Sequence, residues 1–293
     1  MDLSLISYFL PLHDNAFLAG LTELITILAE DTIIILVGAF LYWCIDPKAG
    51  QRMACTAVGG VFWTMGVKNY LKFPRPWDLG LIAKGQVIRV ETATSYSFPS
   101  GHTTAATNIY GYFAKSAKKI WVKILLWGLV GLIGLSRIFL GCHTSFDVLA
   151  AIIISVAWIY LSTYLYDTLL PKSDWYIFLY AVPMLFAASS LFTGFDEDIV
   201  KMICFGGAVL VGVFVERRYI HYQPQGSKAA RALQFGIGLI ALTLLKVWPS
   251  LVGLGNLFWL KCICYATIAL WTSCIYPLIL QKYTQKPATQ ITE

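Results

Sequence analysis

Two histidines, an aspartate, two lysines and two arginines lie in three short strings of an otherwise apolar chain. The strings are KNYLKFPRP (68–76), PSGH (99–102) and SRIFLGCHTSFD (136–147). Written as patterns, they are K-x6-R-P, P-S-G-H and S-R-x5-H-x3-D. Phosphoryl transfer depends mainly on positioning and on stabilising negative charge. These side chains supply cations, a nucleophile and a proton donor, the set that phosphoryl transfer without a metal requires.

Five residues of the strings are candidates to hold a phosphate group. Arg75 and Arg137 can each donate a planar pair of hydrogen bonds to its oxygens, and Lys68 adds a point charge. Ser100 and Gly101 have the look of a helix start, with serine as the N-cap. The open N–H groups of a first helical turn are a ready phosphate site. We therefore predict that the three strings meet at one phosphate.

The remaining three side chains can do the chemistry. His143 and Asp147 are four residues apart, so on a helix they share a face. Asp147 can accept the proton of one ring nitrogen and leave the other bare, as in an activated nucleophile with an orienting partner. The bare nitrogen can attack phosphorus and form a phosphohistidine. His102 can protonate the departing oxygen and then activate the water that hydrolyses the intermediate.

The rest of the chain is typical of a membrane protein. Its 293 residues are 58% hydrophobic and 13% charged, whereas a soluble domain carries about 25% charged residues. Apolar runs of roughly 17 to 25 residues recur along it. We predict an all-α, polytopic membrane helical bundle of about nine transmembrane helices, forming a single domain over 1–293. The predicted spans lie near 28–45, 52–72, 101–117, 120–140, 146–166, 175–193, 199–216, 230–248 and 255–281.

The basic residues set the predicted orientation. A net charge of +6 does not indicate nucleic-acid binding here, because lysine and arginine fall in short clusters between apolar runs, where they set topology and contact anionic lipid. Lys48 is the first basic residue, so we expect no cleavable signal peptide and an N-terminus outside. The loop with Lys115 and Lys123 and the C-terminus are then cytoplasmic. All three strings fall at the extracytoplasmic end, facing a periplasm, the cell exterior or the lumen of the endoplasmic reticulum.

The segment 73–98 is expected to be a functional loop. It lies at the outer end yet is basic, and at about 26 residues it is long for a connector, which favours a lid or a binding loop. Aromatic residues at this depth are also typical interfacial anchors. The candidates to shape a substrate entrance are Trp77, Glu91, Tyr96 and Phe98.

The three strings match the motifs of the type 2 phosphatidic acid phosphatase superfamily, with every fixed position present. The chain resembles that family over about 68–147 by motif and about 28–166 by span arrangement, which leaves spans over about 175–281 as accessory. Singly, each string could be an ordinary helix end or basic pair. The resemblance implies a helical core and a phosphohydrolase that acts on phosphoric monoesters without a metal or cofactor. It assigns His143 as nucleophile, Asp147 as its partner and His102 as acid, with phosphate held by Lys68, Arg75, Ser100, Gly101 and Arg137.

A lipid phosphate or diphosphate is the expected substrate, since its headgroup reaches the interface while its chains stay in the bilayer. The nine-span layout resembles the glucose-6-phosphatase catalytic subunits, which makes a soluble sugar phosphate such as glucose 6-phosphate the alternative. A further alternative is a lipid-binding or transport protein with a degenerate site. Membrane lipids are expected partners, and the sequence leaves open the oligomeric state and whether water or another acceptor takes the phosphate.

Two more residues are candidates for substrate contact. The resemblance adds Ser136 to the phosphate ligands. Lys261 lies within the last predicted span, where an ionisable residue is a functional hypothesis. Snorkelling of its side chain to the surface explains it equally well. If the substrate is glucose 6-phosphate, Lys261 and the 73–98 loop are the candidate sugar contacts.

Overall fold

The structure, a computed structural model, is helical and describes residues 4–90, 93 and 95–284. Within those residues it contains no β-strand. Four π-helical turns interrupt or end the helices, at Leu41–Ile45, Thr107–Gly111, Glu216–Ile220 and Trp271–Ile275. The α-helices are α1 (Ser4–Phe9), α2 (Ala16–Ile27), α3 (Asp31–Phe40), α4 (Pro47–Leu71), α5 (Gly101–Ala106), α6 (Tyr112–Ser116), α7 (Ile120–Phe139), α8 (Ser145–Thr168), α9 (Ala181–Ser189), α10 (Glu197–Val215), α11 (Lys228–Leu251), α12 (Phe258–Leu270) and α13 (Tyr276–Thr284).

Six helical stretches of the described chain are long and apolar enough to cross a membrane, and a seventh counts if a bent pair is taken as one span. The bent pair is Ala16–Ile27 with Asp31–Ile45, at 47°. The prediction of an all-α, multi-pass membrane protein is confirmed. The six stretches are Ile120–Phe139, Ser145–Thr168, Asp174–Thr193, Glu197–Ile220, Lys228–Leu251 and Phe258–Tyr283.

The predicted number of nine spans is not confirmed. Helices occur at the two predicted positions near 52–72 and 101–117, but neither meets the span criteria. α4 is long enough at 25 residues but carries many polar side chains. The stretch 101–116 is too short, because a span needs about 17 to 25 residues.

The chain divides into two compact units. The first comprises Met1–Ile35, Thr56–Tyr164 and Val182–Gly194, and the second comprises Leu36–Cys55, Leu165–Ala181 and Phe195–Glu293. All three sequence strings belong to the first unit. The single domain over 1–293 stays a prediction.

Within the first unit, α4 faces the helix after the PSGH string at regular four-residue steps. A Cβ added to Gly60 would fall 1.9 Å from Nδ2 of Asn108, so glycine lets the two helices come close there. One turn further along α4, Thr64 donates from Oγ1 to Thr104 Oγ1 at 2.9 Å. The next residue on this face is Lys68. The packing of the two helices therefore places Lys68 beside the start of the helix that follows the PSGH string.

Close approach of α7 and α8 brings their ends together as well. A Cβ added to Gly134 would lie 2.7 Å from Cγ1 of Val148, so a larger residue would push the helices apart. At Gly141 the backbone turns with φ of +77°, a conformation that favours glycine. The chain thereby leaves α7 and enters α8 within a few residues.

The second unit contains a buried polar network. The side chain of Gln51 donates to Oε2 of Glu216 and accepts from the Tyr166 hydroxyl at 2.7 Å. Oε1 of Glu216 accepts from the backbone N–H of Tyr222 at 2.9 Å. Buried charges are tolerated where they are hydrogen-bonded in this way. These hydrogen bonds account for the burial of the Glu216 carboxylate as a structural feature.

Candidate active site

One end of the first unit gathers most of the residues that the sequence analysis selected. Helices α4 and α7 end there, and α5 and α8 begin there. Asp147 is the only buried carboxylate among the described residues of this unit. Seven of the predicted residues expose 6% or less of their surface: Lys68, Arg75, Ser100, Ser136, Arg137, His143 and Asp147.

The guanidinium of Arg75 is fixed by three contacts. Its Nε donates to the carbonyl of Ser95 at 2.8 Å, and its Nη1 donates to the carbonyl of Cys142 at 2.9 Å. Nη1 also lies 3.0 Å from Nε2 of His143. Burial lowers the pKa of Arg75 to about 10, which still leaves it charged near neutral pH. The cation is therefore held directly against the predicted nucleophile.

The ammonium of Lys68 is covered by the segment that precedes the PSGH string. It donates to the carbonyl of Tyr96 at 2.6 Å and to that of Ser97 at 3.3 Å. The Ser97 backbone N–H in turn donates to the carbonyl of Phe73 at 2.9 Å. The end of the 73–98 loop is thus folded over the two cations, and its carbonyl oxygens accept hydrogen bonds from both.

The contact with Arg75 identifies the tautomer of His143. A guanidinium can only donate hydrogen bonds, so Nε2 of His143 is the acceptor and the ring proton is on Nδ1. Nδ1 lies 3.5 Å from Oδ2 of Asp147, which is an electrostatic contact rather than a well-formed hydrogen bond. Burial lowers the pKa of His143 below 6.5; Asp147 opposes this shift and the neighbouring cations add to it. The ring is therefore neutral near pH 7.

Two residues that the sequence analysis did not select orient Asp147. Oδ2 accepts from the hydroxyl of Ser97 at 2.7 Å and from the backbone N–H of Thr144 at 2.8 Å. Thr144 returns the contact, since its Oγ1 accepts from the Asp147 N–H at 3.3 Å. This reciprocal pair is a capping box at the start of α8. The T-x-x-D spacing could have indicated it, whereas nothing in the sequence pattern pointed to Ser97.

Ser100 is the N-cap of α5, as predicted. Its Oγ accepts from the N–H of Thr103 at 3.5 Å and from the Thr103 hydroxyl at 2.9 Å. Its own N–H donates to the carbonyl of Asp147 at 3.1 Å, which ties α5 to α8. A Cβ added to Gly101 would meet no heavy atom within 4 Å. The first turn of α5 therefore borders open space.

Arg137 and Ser136 close α7 but differ in their partners. Nη1 of Arg137 donates to Oγ1 of Thr26, on α2, at 3.2 Å. The hydroxyl of Ser136 donates to the carbonyl of Ile133, in its own helix, at 2.7 Å. Arg137 thus bonds to another helix, whereas Ser136 donates its hydroxyl proton within α7.

His102 lies in the first turn of α5 and is partly exposed. Burial lowers the pKa of His102 to about 3, and the charge of Arg137, followed by those of Arg89, Lys68 and Arg75, adds to this shift. Arg89 also pairs with Glu30 at 2.7 Å, which joins the 73–98 loop to the stretch between α2 and α3. His102 therefore stands at the edge of a strongly positive region.

Two candidates are not part of this cluster. Lys261 belongs to α12 in the second unit, and its contact with substrate stays a prediction. Glu91, proposed for the entrance, lies outside the described residues. Among the residues that the structure does describe, no group of three or more His, Cys, Asp or Glu could hold a metal ion.

Fold and site together define a multi-pass helical membrane protein with a buried cluster of cations beside a neutral histidine. The family model described as the PAP2 superfamily matches residues 52–171, and the model described as the PAP2 superfamily phosphatase, transmembrane extension, matches residues 200–288. The chain belongs to the PAP2 superfamily, the type 2 phosphatidic acid phosphatases that its motifs indicated.

Curated relatives of the chain include phosphatases of lipids. It is 29% identical over 139 residues to sphingosine-1-phosphate phosphatase 1 of Mus musculus, covering 45% of this chain and 31% of that protein. Identity to sphingosine-1-phosphate phosphatase 2 of the same species is 26% over 217 residues, covering 69% and 60%. Phosphatidylglycerophosphatase B of Haemophilus influenzae is 40% identical over 79 residues, covering 24% and 31%. The chain thus spans about a third to three fifths of these relatives. No solved structure is significantly similar to it.

Proposed function

We propose that this protein hydrolyses a lipid phosphate or diphosphate monoester, without a metal, through a phosphohistidine intermediate. The observation that carries the proposal is the charge balance of the site. Lys68, Arg75 and Arg137 are buried around Asp147, and the neutral His143 presents a bare nitrogen to Arg75. Buried charges are costly unless they are compensated. A phosphate dianion would compensate the excess of positive charge.

Phosphate would take over the acceptor positions now held by protein atoms. Lys68 and Arg75 both donate to backbone carbonyls, and Arg75 also donates to Nε2 of His143. A phosphoryl oxygen is a stronger acceptor for a cation than a carbonyl oxygen or a neutral ring nitrogen. The open first turn of α5 at Ser100 and Gly101 would add backbone N–H groups. Once Arg75 donates to phosphate, Nε2 of His143 is released to attack.

The reaction then has two steps. Nε2 of His143 forms a bond to phosphorus while the bond from phosphorus to the lipid oxygen breaks, and His102 gives that oxygen its proton. Water next attacks phosphorus, His102 takes the water proton, and the bond to nitrogen breaks. Asp147 stabilises the positive ring of the intermediate and holds its orientation. The negative charge of bound phosphate offsets the cations around His102 and favours its protonated form.

The relatives support a lipid as substrate, because their names specify sphingosine 1-phosphate and phosphatidylglycerophosphate. The apolar spans support it too, because the lipid chains would stay in the bilayer while the headgroup reaches the ends of α4, α5, α7 and α8. The lysine-rich loop at the other end of these helices favours a site on the extracytoplasmic side. The N-terminus would then be outside and the C-terminus cytoplasmic.

Phosphate release by purified protein in metal-free detergent tests the proposal. The panel contains phosphatidic acid, phosphatidylglycerophosphate, undecaprenyl diphosphate, sphingosine 1-phosphate and glucose 6-phosphate. We expect turnover of one or more lipids and none in His143→Ala. Preference for glucose 6-phosphate would replace the lipid with the sugar alternative. Lipid binding without any phosphate release would favour a degenerate site.

The intermediate can be tested separately. Brief reaction with a substrate labelled at phosphorus should leave label on the protein that survives alkali and is lost in acid, as for a nitrogen–phosphorus bond. His143→Ala should take up none. Acid-stable label would contradict attack by the imidazole.

Sidedness can be tested with a membrane-impermeant thiol reagent on intact cells. None of the seven native cysteines is exposed, so background labelling should be low. Lys84 and Lys119 are exposed, at opposite ends of the first unit. Lys84→Cys should be labelled from outside and Lys119→Cys only after lysis; the reverse pattern would invert the orientation.

A further inference from the structure

A second basic site lies in the first unit, away from the cluster described above. A cavity of about 200 Å³ is enclosed by the end of the PSGH-bearing helix, by α7 and by α8. Along α7, Lys123 and Arg137 are roughly 20 Å apart at 1.5 Å per residue. The cavity is therefore at the opposite end of the helices from the candidate active site. Its wall includes Ala114, Lys115, Lys123, Trp127, Ile159 and Tyr160.

The two lysines make this cavity an attractive site for an anion. The ammonium of Lys115 is placed on the wall by Thr163 Oγ1, to which it donates, and by the ring of Tyr160, whose centroid is 4.7 Å away. Lys123 lines the same cavity from α7. In the sequence, residues 101–146 contain no aspartate or glutamate, whereas 115–123 contain four lysines. No acidic residue is among those that line the cavity. The local charge is strongly positive.

The surroundings of the cavity suit a lipid. Two of the helices that line it, α7 and α8, meet the membrane-span criteria, and both carry outward side chains that are apolar or aromatic. Ile124 of α7 is 67% exposed and Tyr160 of α8 is 60% exposed. Tryptophan and tyrosine are enriched at the membrane–water interface, where headgroups lie. A phospholipid could place its phosphate between the lysines and its chains along α7 and α8.

We propose that this cavity binds the headgroup phosphate of an anionic phospholipid as a structural lipid that is not the substrate. Basic pockets between spans attract such headgroups, and each lysine near the surface contributes roughly a five-fold gain in affinity. The proposal does not depend on the proposed hydrolysis, because the cavity and the catalytic cluster share no residue.

Retention of lipid by the full-length chain tests the proposal. Purified protein, delipidated in uncharged detergent and carrying His143→Ala to prevent turnover, is equilibrated with equal amounts of phosphatidylserine and phosphatidylcholine. Bound lipid is counted by native mass spectrometry. The test variant is Lys115→Gln/Lys123→Gln. The matched control is Lys118→Gln/Lys119→Gln, which removes the same charge from neighbouring positions that do not line the cavity.

We expect the starting protein to prefer phosphatidylserine, the test variant to lose about 10- to 30-fold of that preference, and the control to stay within about two-fold. Equal losses in both variants would mean that only the net charge matters and would overturn the site. Equal displacement of the lipid by glycerophosphoserine, which lacks the chains, would show that the cavity takes free phosphate compounds instead. If the double variant fails to melt cooperatively, Lys123→Gln alone should still lose about five-fold, and an unchanged preference in it would overturn the proposal.

Discussion

Removal of the Ser97 hydroxyl should slow the reaction without weakening substrate binding. Ser97 donates to Oδ2 of Asp147 at 2.7 Å, and both residues are buried, at 2% and 1% exposed. Thr144 donates to the same oxygen, and Nδ1 of His143 lies 3.5 Å from it. Ser97 therefore holds the carboxylate beside the proposed nucleophile, and it would act as a positioning residue in the proposed reaction.

The size of the effect follows from the type of bond. A hydrogen bond to a charged group contributes about 1.5–3 kcal/mol, and about 1.4 kcal/mol corresponds to a tenfold change in rate. If the full bond acts in the transition state, Ser97→Ala lowers kcat about 10- to 150-fold. KM should change by less than about two-fold, since only the backbone carbonyl of Ser97 touches a proposed phosphate-binding residue, Lys68, and the backbone stays in place in the variant.

The pH profile supplies a second readout. Attack needs neutral His143, so the rate is lost as the pH falls through the pKa of this residue, which burial lowers below 6.5. In Ser97→Ala the carboxylate of Asp147 is free to move closer to Nδ1 and stabilise the protonated ring. The acid limb of kcat/KM should therefore move to higher pH than in the wild type.

Steady-state phosphate release across pH, with a melting curve for each variant, is the assay. Ser97→Thr is the control, because it keeps the hydroxyl, and it should recover most of kcat and the wild-type acid limb. A wild-type kcat in Ser97→Ala would refute the positioning role. A raised KM at unchanged kcat would assign the residue to phosphate binding, and a threonine variant as slow as the alanine variant would attribute the loss to packing.

Four further outcomes are expected from the same assay. His143→Ala should melt like the wild type but release no phosphate. Asp147→Asn should keep KM and lose roughly 10³- to 10⁴-fold in kcat, as for a misoriented imidazole; a loss below tenfold would count against its role. EDTA should leave the rate within about two-fold, and strong inhibition would reveal a metal requirement. Vanadate, which resembles the pentacoordinate transition state, should inhibit competitively with substrate, and its failure to do so would argue against phosphorus attack at this site.

Much of the site could be predicted because its residues are unusual for their surroundings. Charged side chains are scarce in an apolar chain, so three strings that contain them stand out. The spacing of His143 and Asp147 places them on one face without further information. What pairs with them could not be predicted, because tertiary contacts such as those of Ser97 and Thr26 join segments far apart in the sequence. The tautomer of His143 follows only from the contact of its Nε2 with Arg75 in the folded structure.

The fold was predictable in type but not in detail. Helix positions followed from apolar runs, and six of the nine predicted spans satisfy the length and composition criteria. The π-helical turns had no signal in the sequence, since an extra residue in a turn changes neither composition nor period appreciably. One such turn, Thr107–Gly111, divides the helix that begins at the PSGH string. The α-helical pieces on either side of this turn are only six and five residues long. Sequence periodicity cannot identify helices that short.

Two predicted spans that fail the criteria, near 52–72 and 101–117, contain the polar contacts between α4 and the helix after PSGH. On α4, Thr64 and Lys68 face the helix after PSGH. On that helix, Thr104 accepts the hydrogen bond from Thr64, and Ser100 caps the first turn. Each of these polar groups lowers the hydropathy of its helix and therefore weakens it as a membrane span. The same polar groups lie where the proposed phosphate site needs them. A departure from the membrane pattern in these helices is thus the expected consequence of placing charged chemistry inside a membrane bundle.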